Sequence, residues 1–97
     1  VKTPESYEKA DIDKFLDALQ PDLFYFKPSM NGYGKAGVSD RVGWYKGKPF
    51  VIEVKRYGKE PTAIQWRRIH EARRAGGLGF WGTAEKVIPE LKQAFGV

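Results

Sequence analysis

Between Ser39 and Lys55 the chain reads SDRVGWYKGKPFVIEVK, two strand-forming runs on either side of Lys46-Gly47. This segment constrains the fold more than any other. Glycine takes the positive φ of a tight hairpin turn, so Lys46 and Gly47 read as a two-residue loop. Such a loop fixes the pairing of everything outside it: Tyr45 faces Lys48 and, counting outward, Asp40 faces Glu53. A three-residue loop would instead bring Asp40 opposite Val54. Directly opposed side chains on one sheet face lie about 4.5–5.5 Å apart at Cβ, and like charges so placed repel. The two-residue alternation of a strand also puts Val51, Glu53 and Lys55 on one face and Phe50, Ile52 and Val54 on the other. Two carboxylates and an ammonium therefore share a face. Hard oxygen ligands beside a cation describe a site for Mg²⁺ or Mn²⁺ together with a phosphate. Against this stands the plainer reading, in which Glu53 and Lys55 are solvent-facing charges on a half-exposed strand.

The remaining elements follow from spacing. Thr3 and Pro4 open a helix over Pro4 to Leu19, with Ile12, Phe15, Leu16 and Leu19 on its apolar stripe. Leu23 to Lys27 is a strand, and Pro28 to Val38 is a glycine-rich loop. After the hairpin, Thr62 caps a helix that runs to about Ala75 and closes at Gly76-Gly77. Leu78 to Gly82 is a fourth strand. The tail from Thr83 to Phe95 is helical in pattern, with Pro89 marking a break or a second helix start. The order is an α/β core, αβββαβ, with a mixed four-stranded sheet flanked by helices and a C-terminal helix, because the last crossover can be a parallel connection. The 97 residues form one domain, 1–97.

Composition narrows the function classes. Cysteine is absent, which excludes disulfides and thiolate metal sites and fits a reducing cytoplasm. No apolar run approaches membrane length and no signal peptide is visible, so no membrane role is expected. The first residue is Val1 rather than Met, as expected of a processed chain or a piece of a longer one. The net charge of +5 favours a polyanionic partner.

An Asp heading the second strand and an E-x-K ending the third resemble the PD-(D/E)xK nuclease superfamily, with its restriction-endonuclease-like core. More narrowly, GYGKAGVSDRVGWYKGKPFVIEVKRYGKEPTAIQ resembles the VRR-NUC (virus-type replication-repair nuclease) family, especially its small stand-alone phage-type members. The matching features are Gly34 to Gly37, Asp40, Gly43, Gly47, the Ile52-Glu53-Val54-Lys55 quartet, Pro61-Thr62, Gln65 and Ala75-Gly76-Gly77, spanning Gly32 to Gly77. Ser39 departs from the family's usual proline. Pro21-Asp22 is a literal "PD", but it precedes the first strand, and Asp22 reads as a turn residue.

The resemblance implies a Mg²⁺-dependent, structure-selective DNA endonuclease that nicks branched DNA such as four-way junctions. In it Asp40, Glu53 and the carbonyl of Val54 would hold the ion, and Lys55 would orient or deprotonate the attacking water. Gln65 would lie beside the site, although with Thr62 it also spells a T-x-x-Q capping box. Glu8 would complete the site from the first helix, with Glu5 the alternative. The resemblance further implies a homodimer, for which Trp44, Tyr45, Phe80 and Trp81 are candidate contacts, and a cytoplasmic location, the host's if the chain is phage-encoded.

Arg67, Arg68 and Arg73 on the second helix, with Lys27, Lys35 and Arg56 around the mouth, are candidate DNA-backbone contacts. Tyr33 is a candidate for stacking on a base, and His70, alone, is assigned no chemistry. No base-reading motif is present, so little sequence specificity is expected. Two other readings stand beside the endonuclease: a catalytically idle basic module that binds nucleic acid, and a flap- or RNA-directed nuclease on the same residues.

Overall fold

The computed structural model describes residues 4–29 and 35–97. Its elements are α1 (Glu5–Ala18), β1 (Leu23–Phe26), β2 (Arg41–Tyr45), β3 (Lys48–Val54), α2 (Ala63–Arg74), β4 (Leu78–Gly82) and α3 (Ala84–Phe95). The expected Thr3 cap and Tyr33 lie outside the described residues. The sheet order is β1-β2-β3-β4, with β1/β2 and β2/β3 antiparallel and β3/β4 parallel. The mixed four-stranded sheet and C-terminal helix are those expected.

The hairpin has the two-residue turn. Lys46 has φ +46° and Gly47 φ +84°, the double positive twist that matches the right-handed coil of the flanking strands. Tyr45 pairs with Lys48 and Arg41 with Ile52, so Asp40 comes opposite Glu53 at the open end.

One sheet face carries the main core. Leu23, Tyr45, Phe50, Ile52, Val54 and Phe80 pack against Ile12 and Leu16 of α1 and Val87, Leu91 and Phe95 of α3. The opposite face is covered over β3 and β4 by α2, whose Ile69 is fully buried. This helix comes so close that a Cβ on Gly79 would stand 2.9 Å from Ile69 and 3.0 Å from Arg73 Nε. Only glycine fits there.

Pro89 does not break the last helix. Ala84–Phe95 is continuous with Pro89 inside it. The proline ring removes one N–H, but it points outward, while Val87, Leu91 and Phe95 hold the opposite stripe in the core. Among the described residues, no helix is long and apolar enough to cross a membrane.

Candidate functional site

At the open end of the hairpin, the register brings Asp40 and Glu53 together beside Lys55. Asp40 Oδ2 accepts a hydrogen bond from the Val54 N–H at 2.8 Å. Its Oδ1 lies 3.6 Å from Lys9 Nζ, which in turn sits 3.4 Å from Glu5. Glu53 is 3% exposed. Lys55 Nζ lies 3.9 Å from Glu53 Oε2, an ion-pair distance beyond hydrogen-bond reach. Glu53 Oε1 is buried and has no hydrogen-bond partner among the described residues. The β4 residue paired with Glu53 is Trp81, and the Lys55 N–H donates to the Gly82 carbonyl at 2.9 Å, so the end of β3 is anchored to β4.

These contacts set the electrostatics. Burial pushes the Glu53 carboxyl up to about 8, and the neighbouring Asp40 carboxylate adds to the shift. Lys55 offsets part of it, whereas Glu5 pushes the same way. A buried carboxylate oxygen facing a second carboxylate has two means of relief, a proton or a cation. The donor set fits a hard divalent ion, since Asp40 and Glu53 supply carboxylate oxygens and Mg²⁺ needs only one or two of these. Among the described residues no group of three or more His, Cys, Asp or Glu side chains is arranged to hold a metal ion.

Three residues weighed from the sequence are engaged in structural contacts. Glu8 is buried and its Oε1 accepts from the Ala84 N–H at 2.8 Å, so it holds the first turn of α3. Of the two first-helix acids, Glu5 is the one whose charge reaches Glu53. Gln65 forms the capping box: its Oε1 accepts from the Thr62 N–H at 2.9 Å, and its own N–H donates to Thr62 Oγ1 at 3.3 Å. Asp22 is a turn residue at the far end of the sheet, its carbonyl bonded to the Lys46 N–H and its carboxylate 3.7 Å from Lys46 Nζ.

The expected basic clamp is largely engaged within the protein. Arg68 donates to the Ala36 carbonyl and to Glu71, both at 2.8 Å, and so ties the segment before Asp40 to α2. Arg73 donates to the Gly79 carbonyl at 2.8 Å. Arg67 lies 3.6 Å from Glu71, and Lys27 lies 3.1 Å from Asp13 on the α1 side of the sheet. Lys35 and Arg56 are exposed. Sequence reasoning passed over Lys9, whose position one turn after Glu5 is the only hint that both reach the hairpin's end.

The expected dimer contacts also divide. Tyr45 and Phe80 are buried in the protein's own core, with Tyr45 stacked on Phe95 at 4.5 Å. Trp81 is half-buried between Trp66 and Lys86. Trp44 alone is open, at 46% exposure, and beside it on β1 stand Phe24 and Phe26.

No protein-family model, curated protein or solved structure matches this chain.

Proposed function

We propose that the chain is a Mg²⁺- or Mn²⁺-dependent endonuclease of the VRR-NUC type, hydrolysing phosphodiester bonds in DNA and acting on branched structures such as four-way junctions. One observation carries the reading: Glu53 Oε1 is buried without a donor, directly opposite Asp40 and beside Lys55. A structural charge placed there would cost stability for no return, whereas a cation site needs such oxygens. The resemblance over Gly32 to Gly77 supports it, and so does the net charge of +5.

Asp40, Glu53 and the Val54 carbonyl would hold the ion. A bound divalent ion polarises a phosphoryl oxygen and makes a water nucleophilic near neutral pH. The chain's own contribution is positional. The Val54 N–H fixes one Asp40 oxygen, leaving the other toward the open end. Lys55 stands where it can orient the attacking water and offset the negative charge that develops at phosphorus. Cutting both like-polarity strands of a junction needs two sites, hence a homodimer, with the Phe24, Phe26 and Trp44 surface as its candidate apolar anchor. A cysteine-free chain of this kind suits the cytoplasm.

One observation favours the idle binding module instead. Lys9 and Lys55 already stand beside Asp40 and Glu53, balancing the site's charge without a metal. Incubation with labelled duplex, single-stranded, flap and four-way junction DNA, each with Mg²⁺, Mn²⁺, Ca²⁺ or EDTA, separates the two. Cleavage of the junction with Mg²⁺ or Mn²⁺ is expected. Binding without cleavage of any substrate would make the idle module the better description.

A further inference from the structure

Past Lys55 the chain turns through Arg56 to Glu60 and forms one wall of an open groove of about 510 Å³, whose other wall is the start of α3. That volume lies within the ~300–1,000 Å³ typical of ligand clefts. The groove begins where the candidate site ends, because Trp81 lines it and is also the β-sheet partner of Glu53. Its cations are Arg56, Lys59 and Lys86. Lys86 is committed: its Nζ lies 4.2 Å above the Trp81 ring, donates to the Trp81 carbonyl at 2.7 Å and sits 3.4 Å from Glu90. Arg56 and Lys59 have no side-chain ion pair among the described residues. They contrast with Lys27, Arg68 and Arg73, whose cationic groups bond to other groups of the chain. Glu60 and Glu85 also line the groove, so its charge is positive but not overwhelmingly so. Between Arg56 and Lys59 stands Tyr57, 65% exposed, the most exposed large hydrophobic side chain among the described residues. A phenol in open water gains nothing by folding.

We infer that this groove binds one unpaired DNA strand flanking the scissile phosphate, with a base stacked on Tyr57 and the phosphates beside Arg56 and Lys59. An aromatic face set between cations in a groove is the arrangement that takes single strands without sequence preference, since every base has a face to stack. Contiguity with Glu53 and Lys55 makes a strand a better occupant than a free nucleotide. The inference rests on the phosphodiesterase reading and deepens it: among branched substrates, those with an unpaired arm, such as flaps, are then held more tightly than a fully paired four-way junction.

The test is binding in EDTA by fluorescence anisotropy, comparing a blunt duplex with the same duplex carrying a single-stranded overhang. The overhang should tighten binding by the wild-type chain. Tyr57→Ala should remove that gain, about tenfold, without changing affinity for the blunt duplex, and Tyr57→Phe should keep it. Because Tyr57 lies in an exposed turn, neither change touches the core. The double variant Arg56→Ala/Lys59→Ala should lower the salt slope for the overhang substrate by about 1.4, at roughly 0.7 per phosphate on a single strand. An overhang that adds nothing, or a gain that survives Tyr57→Ala, overturns the groove assignment. Overhang binding without Mg²⁺-dependent cleavage would instead keep the groove and remove the nuclease reading.

Discussion

Two neighbouring residues, Asp40 and Arg41, belong to two acidic sites on opposite faces of the sheet, and the sites are built to opposite rules. On the α1 side, Arg41 is 5% exposed and grips both Asp13 oxygens, at 2.6 and 2.9 Å, with Lys27 at 3.1 Å from the same carboxylate. Burial alone would raise the Asp13 carboxyl, but Arg41 and then Lys27 overcome it and hold it below its ordinary value. On the α2 side, Asp40 and Glu53 face one another, Lys55 stands at 3.9 Å, and the Glu53 carboxyl rises to about 8. The first site is complete as folded. The second lacks a positive charge at the one oxygen that is most buried, and that difference separates a structural ion pair from a site prepared for something else.

The sharpest break of this comparison is in cleavage. Glu53→Gln, or Asp40→Asn, should lower Mg²⁺-dependent nicking by at least about a thousandfold, roughly 4 kcal/mol in the transition state, while DNA binding is kept or improved. The fold should survive, because each change relieves repulsion in the pair. Nicking of a labelled junction by both purified variants decides it, and activity retained in both would remove Asp40 and Glu53 from the chemistry.

The same difference has a pH signature. Glu53 holds its proton more tightly folded than unfolded, with an ordinary value of 4.5 raised to about 8. Its contribution to stability is therefore full below about 4.5 and is lost as the pH rises through about 8, a span on the order of 5 kcal/mol. Asp13 works from the other end. Its lowered carboxyl stabilises the fold above its ordinary 3.8 and is lost as the pH falls through its folded value. In EDTA, urea midpoints should thus decline from pH 5 to 8 in the wild-type chain and stay nearly level in Glu53→Gln. Added Mg²⁺ should restore the wild-type chain increasingly toward pH 8, as ion replaces proton, and leave Glu53→Gln unmoved. Parallel declines in the two chains would show that Glu53 does not carry the proton.

Breaking the complete site should cost stability and spare chemistry. Asp13→Ala leaves the Arg41 guanidinium buried without its carboxylate, a loss of about 3 kcal/mol. Nicking per folded molecule should persist, because Asp13, on α1, is paired with Arg41 and not with the two carboxylates at the hairpin's open end. Urea unfolding that shifts by less than about 1 kcal/mol would mean that water, with the Asp40 carbonyl that already accepts from Arg41 at 2.8 Å, satisfies the guanidinium without Asp13.

The sequence made some of this legible and not the rest, for identifiable reasons. The opposed carboxylates could be read because a two-residue turn fixes pairing over the whole hairpin, and Lys46-Gly47 has the chemistry of that turn. Glu5 and Glu8 could not be separated, since they lie one turn apart on α1. Which of them is buried depends on where the first turn of α3 docks, and Glu8 meets Ala84 from 76 positions away. The contacts of Arg68 and Arg73 within the chain were illegible for a similar reason: helical spacing places a guanidinium on a face but does not say that Ala36 and Gly79 will present carbonyls there. Tyr57 and Lys59 carry no periodic signal at all, being in a turn.

Gln65 gives the smallest expected effect. Its side-chain oxygen and the Thr62 hydroxyl satisfy one another's backbone N–H groups at the start of α2, and a glutamate at that position can accept the same hydrogen bond. Gln65→Ala should therefore destabilise the fold by about 0.5–1 kcal/mol, whereas Gln65→Glu should unfold with the wild-type chain. If capping is the whole of its role, both variants nick DNA at the wild-type rate once folded. If the glutamine also orients a group beside Glu53, Gln65→Glu keeps the stability and loses the rate, because the added negative charge would join two carboxylates already in conflict. A rate loss in the variant whose stability is intact would return Gln65 to the candidate site; equal rates in both would leave it a helix cap.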